Sequence, residues 1–151
     1  MSFIRISKQF TFEMAHALSD YDGLCRNLHG HSYYLDVTVR GKPNQDTTSP
    51  KWGMLIDFGD LKRIVQEAVI DCFDHALVLN NRVPDHLRAT LQQHYEKVVF
   101  VSYQPTTENL LIDLAGRLLS RLPARVQLFS LKLRETDRSY AEWYMDDNQE
   151  I

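Results

Sequence analysis

The sequence has little of what marks a secreted, membrane-bound or nucleic-acid-coating protein. No apolar run approaches the length needed to cross a bilayer, and the opening Met-Ser-Phe-Ile-Arg-Ile-Ser-Lys lacks the apolar core of a signal peptide. The expectation is a cytoplasmic protein. A cationic excess is also missing: 17 Lys and Arg stand against 20 Asp and Glu, a net charge of −3. That balance argues against a general nucleic-acid or membrane-surface binder, although a local group of Lys and Arg would suffice for a small anionic substrate. Cysteine is scarce, with Cys25 and Cys72 the two thiols in 151 residues. In the cytoplasm both are expected to be reduced. Cys72 falls on the apolar side of a helical pattern and reads as core. There is no repeat or low-complexity tract, and 44% apolar with 25% charged residues suits one domain over 1–151.

Histidine is where the sequence becomes specific. The stretch Cys25-Arg26-Asn27-Leu28-His29-Gly30-His31 follows His16, which ends an alternating segment. On a strand, side chains two apart share a face, so His29 and His31 point the same way. Gly30 between them lets another backbone approach closely. With His16 they offer three neutral nitrogens, the ligand set of a catalytic zinc that keeps one position open. Cys25 is then free to act as base or nucleophile, since a thiol near a dication and imidazoles loses its proton more readily. A closed structural site, with Cys25 as fourth ligand, is the competing arrangement.

The surrounding pattern is strand, strand, helices, strand, strand. Residues 3–15 and 31–40 alternate apolar and polar side chains as strands do. Residues 41–53, rich in Gly, Pro, Asn, Asp, Ser and Thr, read as a loop. Asp57 can cap a helix whose apolar positions run from Leu61 to Cys72. A loop over 74–83, a short helix from Pro84 to about His94 and a short extended segment over 97–103 are expected next. Thr106 or Thr107 then caps a second long helix with a stripe from Leu110 to Leu122. Strands over 125–135, with Phe129, Leu131 and Leu133 on one face, and 139–146 close the chain. This order predicts an α+β fold: an antiparallel sheet with two long helices on one face. The other face must be solvated or covered by a second subunit, which Tyr33, Phe129, Tyr140 and Trp143 favour.

Further polar groups gain meaning beside a metal. Asp74-His75 follows the first helix, and a carboxylate-held imidazole is a standard proton relay. Glu135, at a strand end, can accept a planar donor pair such as the amino-and-NH edge of a guanine-like ring. Thr106-Thr107-Glu108-Asn109 is explained by helix capping without a ligand. His86 and His94 lie on a charged segment and read as solvated.

Six ordered motifs together resemble the 6-pyruvoyltetrahydropterin and 6-carboxytetrahydropterin synthase family. They are Phe12-Glu13-Met14-Ala15-His16, Cys25-x3-His29-Gly30-His31, Ile56-Asp57-Phe58, Phe73-Asp74-His75, Pro105-Thr106-Thr107-Glu108-Asn109 and Leu133-Arg134-Glu135-Thr136. The resemblance implies the tunnelling fold, with sheets joining into a barrel in a homo-oligomer, a hexamer or other multiple of a trimer, and active sites between subunits. It implies Zn2+ on His16, His29 and His31, Cys25 as general base with Asp74 and His75 as relay, and Glu135 as pterin anchor, with Thr106 and Thr107 as further substrate contacts. The three-residue gap after Cys25 resembles the 6-carboxytetrahydropterin branch, which serves queuosine biosynthesis. The implied reaction converts 7,8-dihydroneopterin triphosphate to 6-carboxy-5,6,7,8-tetrahydropterin with release of triphosphate and acetaldehyde. A 6-pyruvoyltetrahydropterin synthase and a non-catalytic pterin- or zinc-binding protein are the alternatives. Arg26, Lys132 and Arg134 are candidates for meeting the triphosphate, and nothing assigns chemistry to residues 80–103.

Overall fold

Period-two alternation builds the two longest strands. In the computed structural model, which describes residues 2–149, β1 (Ile4–His16) turns Phe10, Phe12, Met14 and His16 inward. β2 (His29–Gly41) does the same with Tyr33, Leu35, Val37 and Val39. The two pair antiparallel along their full length, from Ile4 opposite Gly41 to His16 opposite His29. Gly30 lies opposite Ala15, where an added Cβ would meet the Met14 carbonyl at 3.3 Å. The close approach expected of this glycine is therefore present. Residues 1, 150 and 151, the ends of the expected 1–151 domain, lie outside the described residues.

β5 (Gln127–Thr136) joins β2 and β6 (Ser139–Tyr144) joins β5, both antiparallel. On the other side the sheet departs from the expected pattern. The segment read as a loop over 74–83 contains β3 (Ala76–Asn80), which runs parallel to β1 beside Met14–His16. β4 (Val98–Val101) adds parallel to β3, giving the order β4-β3-β1-β2-β5-β6. A strand covered on both faces shows a continuous apolar run instead of alternation. Ala76-Leu77-Val78-Leu79 is such a run, short and bounded by polar residues.

The helices cover one face, as expected. Asp57 caps α1 (Phe58–Val65), its Oδ1 accepting the Gly59 N–H at 2.7 Å. α1 runs on through a π-helical turn (Gln66–Ile70) into a last turn, α2 (Asp71–Phe73). Pro84 opens the exposed α3 (Asp85–His94), and Thr106 caps α4 (Thr107–Leu119) by accepting the Asn109 N–H at 3.3 Å. Leu61, Phe73, Leu110, Leu114 and Leu118 pack into one core with Leu35, Val37, Leu131 and Leu133 of the sheet. Among the described residues no helix is long and apolar enough to cross a membrane.

The uncovered face differs from expectation in two of its four aromatics. Tyr33 is fully buried under the helices, stacked on Phe12 with ring centroids 5.1 Å apart. It shares the inward face of Leu35, two residues on. Trp143 also turns inward, opposite Leu131, and packs against the core. Tyr140 is exposed as expected, and Phe129 lies under the Arg5 guanidinium at 3.9 Å. Phe129 occupies the bulge where pairing skips from Ser130 to Leu128, so it leaves the face of Leu131 and Leu133 on which alternation had placed it.

The Tyr33 hydroxyl is buried with no hydrogen-bond partner, and burial pushes its pKa up. An unmade bond of this kind is unfavourable by about 1 kcal/mol or more. Tyr33→Phe is therefore expected to raise the denaturation midpoint in urea, with the ring packing unchanged.

Candidate metal and catalytic site

The end of the β1–β2 ladder delivers three imidazoles to one point. His16 and His29 are directly paired residues, and His31 lies two further along the same face of β2. One ring nitrogen from each lies within 4.8 Å of the others. Two of the rings are fixed from behind. His16 Nδ1 donates to the Pro105 carbonyl and His29 Nδ1 to the Asn27 carbonyl, each at 2.7 Å. With both Nδ1 protons committed, the Nε2 atoms carry lone pairs, and these face each other across 3.1 Å. His31 Nε2 is buried and unpartnered, although Glu135 Oε1 comes within 3.4 Å without making a hydrogen bond. Converging lone pairs and an orphaned ring nitrogen fit a metal cation, with the backbone carbonyls as outer support.

Burial favours the uncharged imidazoles. Removal from water lowers the pKa of His16, against the opposing bond to Pro105 and with the help of its histidine neighbours. It likewise lowers that of His31, against the pull of Glu135. Both groups are thus kept as neutral nitrogen donors.

Around this point lies a cavity of about 370 Å³ lined by His16, Cys25, Thr106, Thr107 and Glu135. Cys25 is half-buried on a short helical turn (Leu24–Arg26) in the loop between β1 and β2. Thr107, in the first turn of α4, donates its hydroxyl to Glu135 Oε2. Glu135 is therefore held between the helix and the histidine cluster. The Thr106 hydroxyl is engaged as the helix cap. Tyr21, Glu108 and Tyr140 also line the cavity. Of these, Glu108 reads in the sequence as part of a helix cap and Tyr140 as a surface aromatic, while Tyr21 carries no sequence signal.

Asp74 and His75 line a second, larger cavity of about 1070 Å³, together with His31, Glu13, Ser32 and Lys97. His75 has φ +60°, an uncommon conformation for a residue with a side chain. Its cause is visible: His75 N–H donates to the Glu13 carbonyl at 2.6 Å while Asp74 Oδ1 accepts the Glu13 N–H at 2.9 Å. The pair is thereby locked onto β1. Asp74 Oδ2 lies 3.0 Å from His75 Nδ1, and the imidazole is exposed. Lys97, to which the sequence assigns no chemistry, donates to the Asp74 carbonyl at 2.6 Å. Cys25 and the Asp74–His75 pair thus line different cavities.

The Glu13 N–H, with His75 and Lys97 adding to it, lowers the pKa of Asp74 against a desolvation penalty. Its charged form then stabilises the fold above the ordinary value of 3.8, and this contribution drains away as pH falls through the lowered one. Asp74→Asn keeps the acceptor and removes the charge. The variant should be less stable than the parent at neutral pH, and the gap should close in acid when denaturant midpoints are compared.

The chain matches the 6-pyruvoyl tetrahydropterin synthase family over residues 5–146. It is 36% identical to the 6-carboxy-5,6,7,8-tetrahydropterin synthase of Haemophilus influenzae, over 92% of this chain and 97% of that one. It is 31% identical to the 6-pyruvoyl tetrahydrobiopterin synthase of Poecilia reticulata, over 78% of this chain and 67% of that one. In fold it is similar to the 6-pyruvoyl tetrahydropterin synthase of Caenorhabditis elegans, with a TM-score of 0.67 at 23% identity, covering 95% of this chain and 96% of that one. A match over nearly its whole length, with the histidine cluster built at one end of the sheet, makes this chain a member of the 6-pyruvoyl tetrahydropterin synthase family.

Proposed function

We propose that this protein is a cytoplasmic, zinc-dependent lyase that converts 7,8-dihydroneopterin triphosphate to 6-carboxy-5,6,7,8-tetrahydropterin, releasing triphosphate and acetaldehyde. The observation that carries the reading is the facing pair of Nε2 lone pairs, 3.1 Å apart, beside the orphaned His31 nitrogen. Among the described residues the cluster groups three imidazoles without a fourth ligand side chain, a set that suits zinc and leaves a position open. When bound, zinc supplies a Lewis acid for the substrate's side-chain oxygens.

The chain's own groups divide the remaining work. Glu135, steadied by Thr107, accepts the paired N–H groups of the pterin edge. Cys25, as thiolate, takes a proton from a side-chain carbon. His75, its Nδ1 beside Asp74, returns protons elsewhere on the substrate. Reducing equivalents move within the substrate by these transfers and triphosphate departs. A water then adds to the side-chain carbonyl next to the ring, the bond to the outer two carbons breaks, and these take up a proton and leave as acetaldehyde while the ring keeps the carboxylate.

Placement of Cys25 and the Asp74–His75 pair in different cavities supports a site shared between copies, in which one copy's pair serves its neighbour's thiol. Sheet edges support such assembly. Among the described residues, Ile4–Phe12 of β1 and the outer side of β6 have no second strand neighbour. Unpaired edges are templates for another chain, and edge-to-edge pairing of copies into a barrel would give a hexamer or other multiple of a trimer.

The similarity to the Poecilia reticulata protein favours a second reading, elimination of triphosphate to a 6-pyruvoyl product. Incubation with the substrate separates the two: acetaldehyde is expected, and triphosphate without acetaldehyde would select the pyruvoyl product. Cys25→Ala should retain zinc by elemental analysis while turnover falls by about 100-fold or more. Loss of zinc in that variant would make the sulfur a ligand. Glu135→Ala should weaken pterin affinity by about 10- to 100-fold with metal content intact, measured by calorimetric titration.

A further inference from the structure

The turn at Gln104–Pro105, just before α4, sends hydrogen bonds to both halves of the site. Its Pro105 carbonyl accepts from the metal-site ring of His16 at 2.7 Å. Its Gln104 side chain donates through Nε2 to the Ser19 carbonyl at 2.8 Å. The turn is itself tied to the helix, because the Gln104 carbonyl accepts from Asn109 Nδ2 at 3.0 Å and from the Thr106 N–H at 2.7 Å.

Ser19 belongs to residues 17–28, the loop that carries Cys25. Inside it, the Leu18 N–H donates to the Cys25 carbonyl at 2.9 Å, so fixing the Ser19 end also fixes the thiol's backbone. Leu18 is buried at the start of the loop, and the part that carries Cys25 has little other anchorage. Its short helical turn contains no buried residue, and Leu24 is 87% exposed. Among the described residues, two side chains hydrogen-bond from outside to residues 17–27: His29, on the Asn27 carbonyl, and Gln104, on the Ser19 carbonyl. One contact is made by a metal-site ring itself, which leaves Gln104 as the independent one.

We propose that Gln104 is a positioning residue that holds the Cys25 loop against the histidine cluster, with Asn109 holding the turn from which it acts. One short segment thereby sets both the orientation of the His16 ring and the place of the thiol. Asn109 then does more than end a capping motif. The proposal rests on the reading of Cys25 as the proton-accepting group.

The test uses the full-length, zinc-loaded protein in a Cys72→Ser background, where Cys25 is the one thiol. Gln104→Leu removes the donor and nearly preserves volume; Gln104→Glu, which places a carboxylate against the Ser19 carbonyl, is the second variant should the first fold poorly. Iodoacetamide alkylation of Cys25 should speed up several-fold as the loop loosens. With kcat lower by roughly tenfold to a hundredfold, KM and zinc affinity should stay near parent values. Asn109→Ala should add a loss of zinc affinity of about tenfold or more, since it frees the carbonyl behind His16. Alkylation and kcat at parent values in either Gln104 variant would overturn the proposal, as would lost zinc affinity with unchanged thiol reactivity. Parent-like turnover by Cys25→Ala would instead sink the role assigned to the thiol, and the alkylation rates would still judge Gln104.

Discussion

Two ring nitrogens whose lone pairs meet at 3.1 Å repel unless something positive lies between them. Their geometry is imposed from outside the cluster, by two backbone carbonyls that take the opposite protons. Much of the architecture can be traced to that constraint. The β1–β2 ladder must keep its register to bring His16 opposite His29, since a slip of one residue would turn every side chain to the other face. Gly30 must stay small to let Met14 and Ala15 come close. The turn before α4 must stand beside the strand ends to supply the Pro105 carbonyl.

The elements that serve this cluster come from distant parts of the sequence. Glu135 arrives on β5, Thr107 on α4 and Cys25 on the loop that the ladder leaves open. Asp74 and His75 arrive from the end of the first helix and are bonded edge-on to Glu13. The left-handed backbone of His75 is the local consequence of that double bond. A strained conformation persists where the surroundings determine it, and here both hydrogen bonds lie on one residue of β1.

Much of this was legible in the sequence because it depends on short-range periodicity. Alternation located β1 and β2, the 3.6-residue stripe located the two long helices, and Asp57 and Thr106 marked their starts. The shared face of His29 and His31 followed from the same period of two, whereas His16 joins them through the strand pairing. What escaped reading depends on tertiary neighbours. β3 is a short apolar run made into a strand by β1 and β4, one on each side. Phe129 lies away from Leu131 and Leu133, with which alternation groups it, because a bulge changes the phase of alternation mid-strand. Tyr33 could have been placed by its parity with Leu35, with which it shares the buried face. The tie from Gln104 to Ser19 spans 85 residues and has no signature in composition or spacing.

The position of His16 and His29 on the last rung of their ladder has a consequence for assembly and loss of the centre. The twelve residues between them, 17–28, form a loop bounded by those two histidines. An ion there acts as a clasp at the neck of that loop, on the rung from which the ladder runs outward to Ile4 and Gly41. Removing it loosens the hairpin at its turn end, so the segment bearing the sulfur is the first to come adrift.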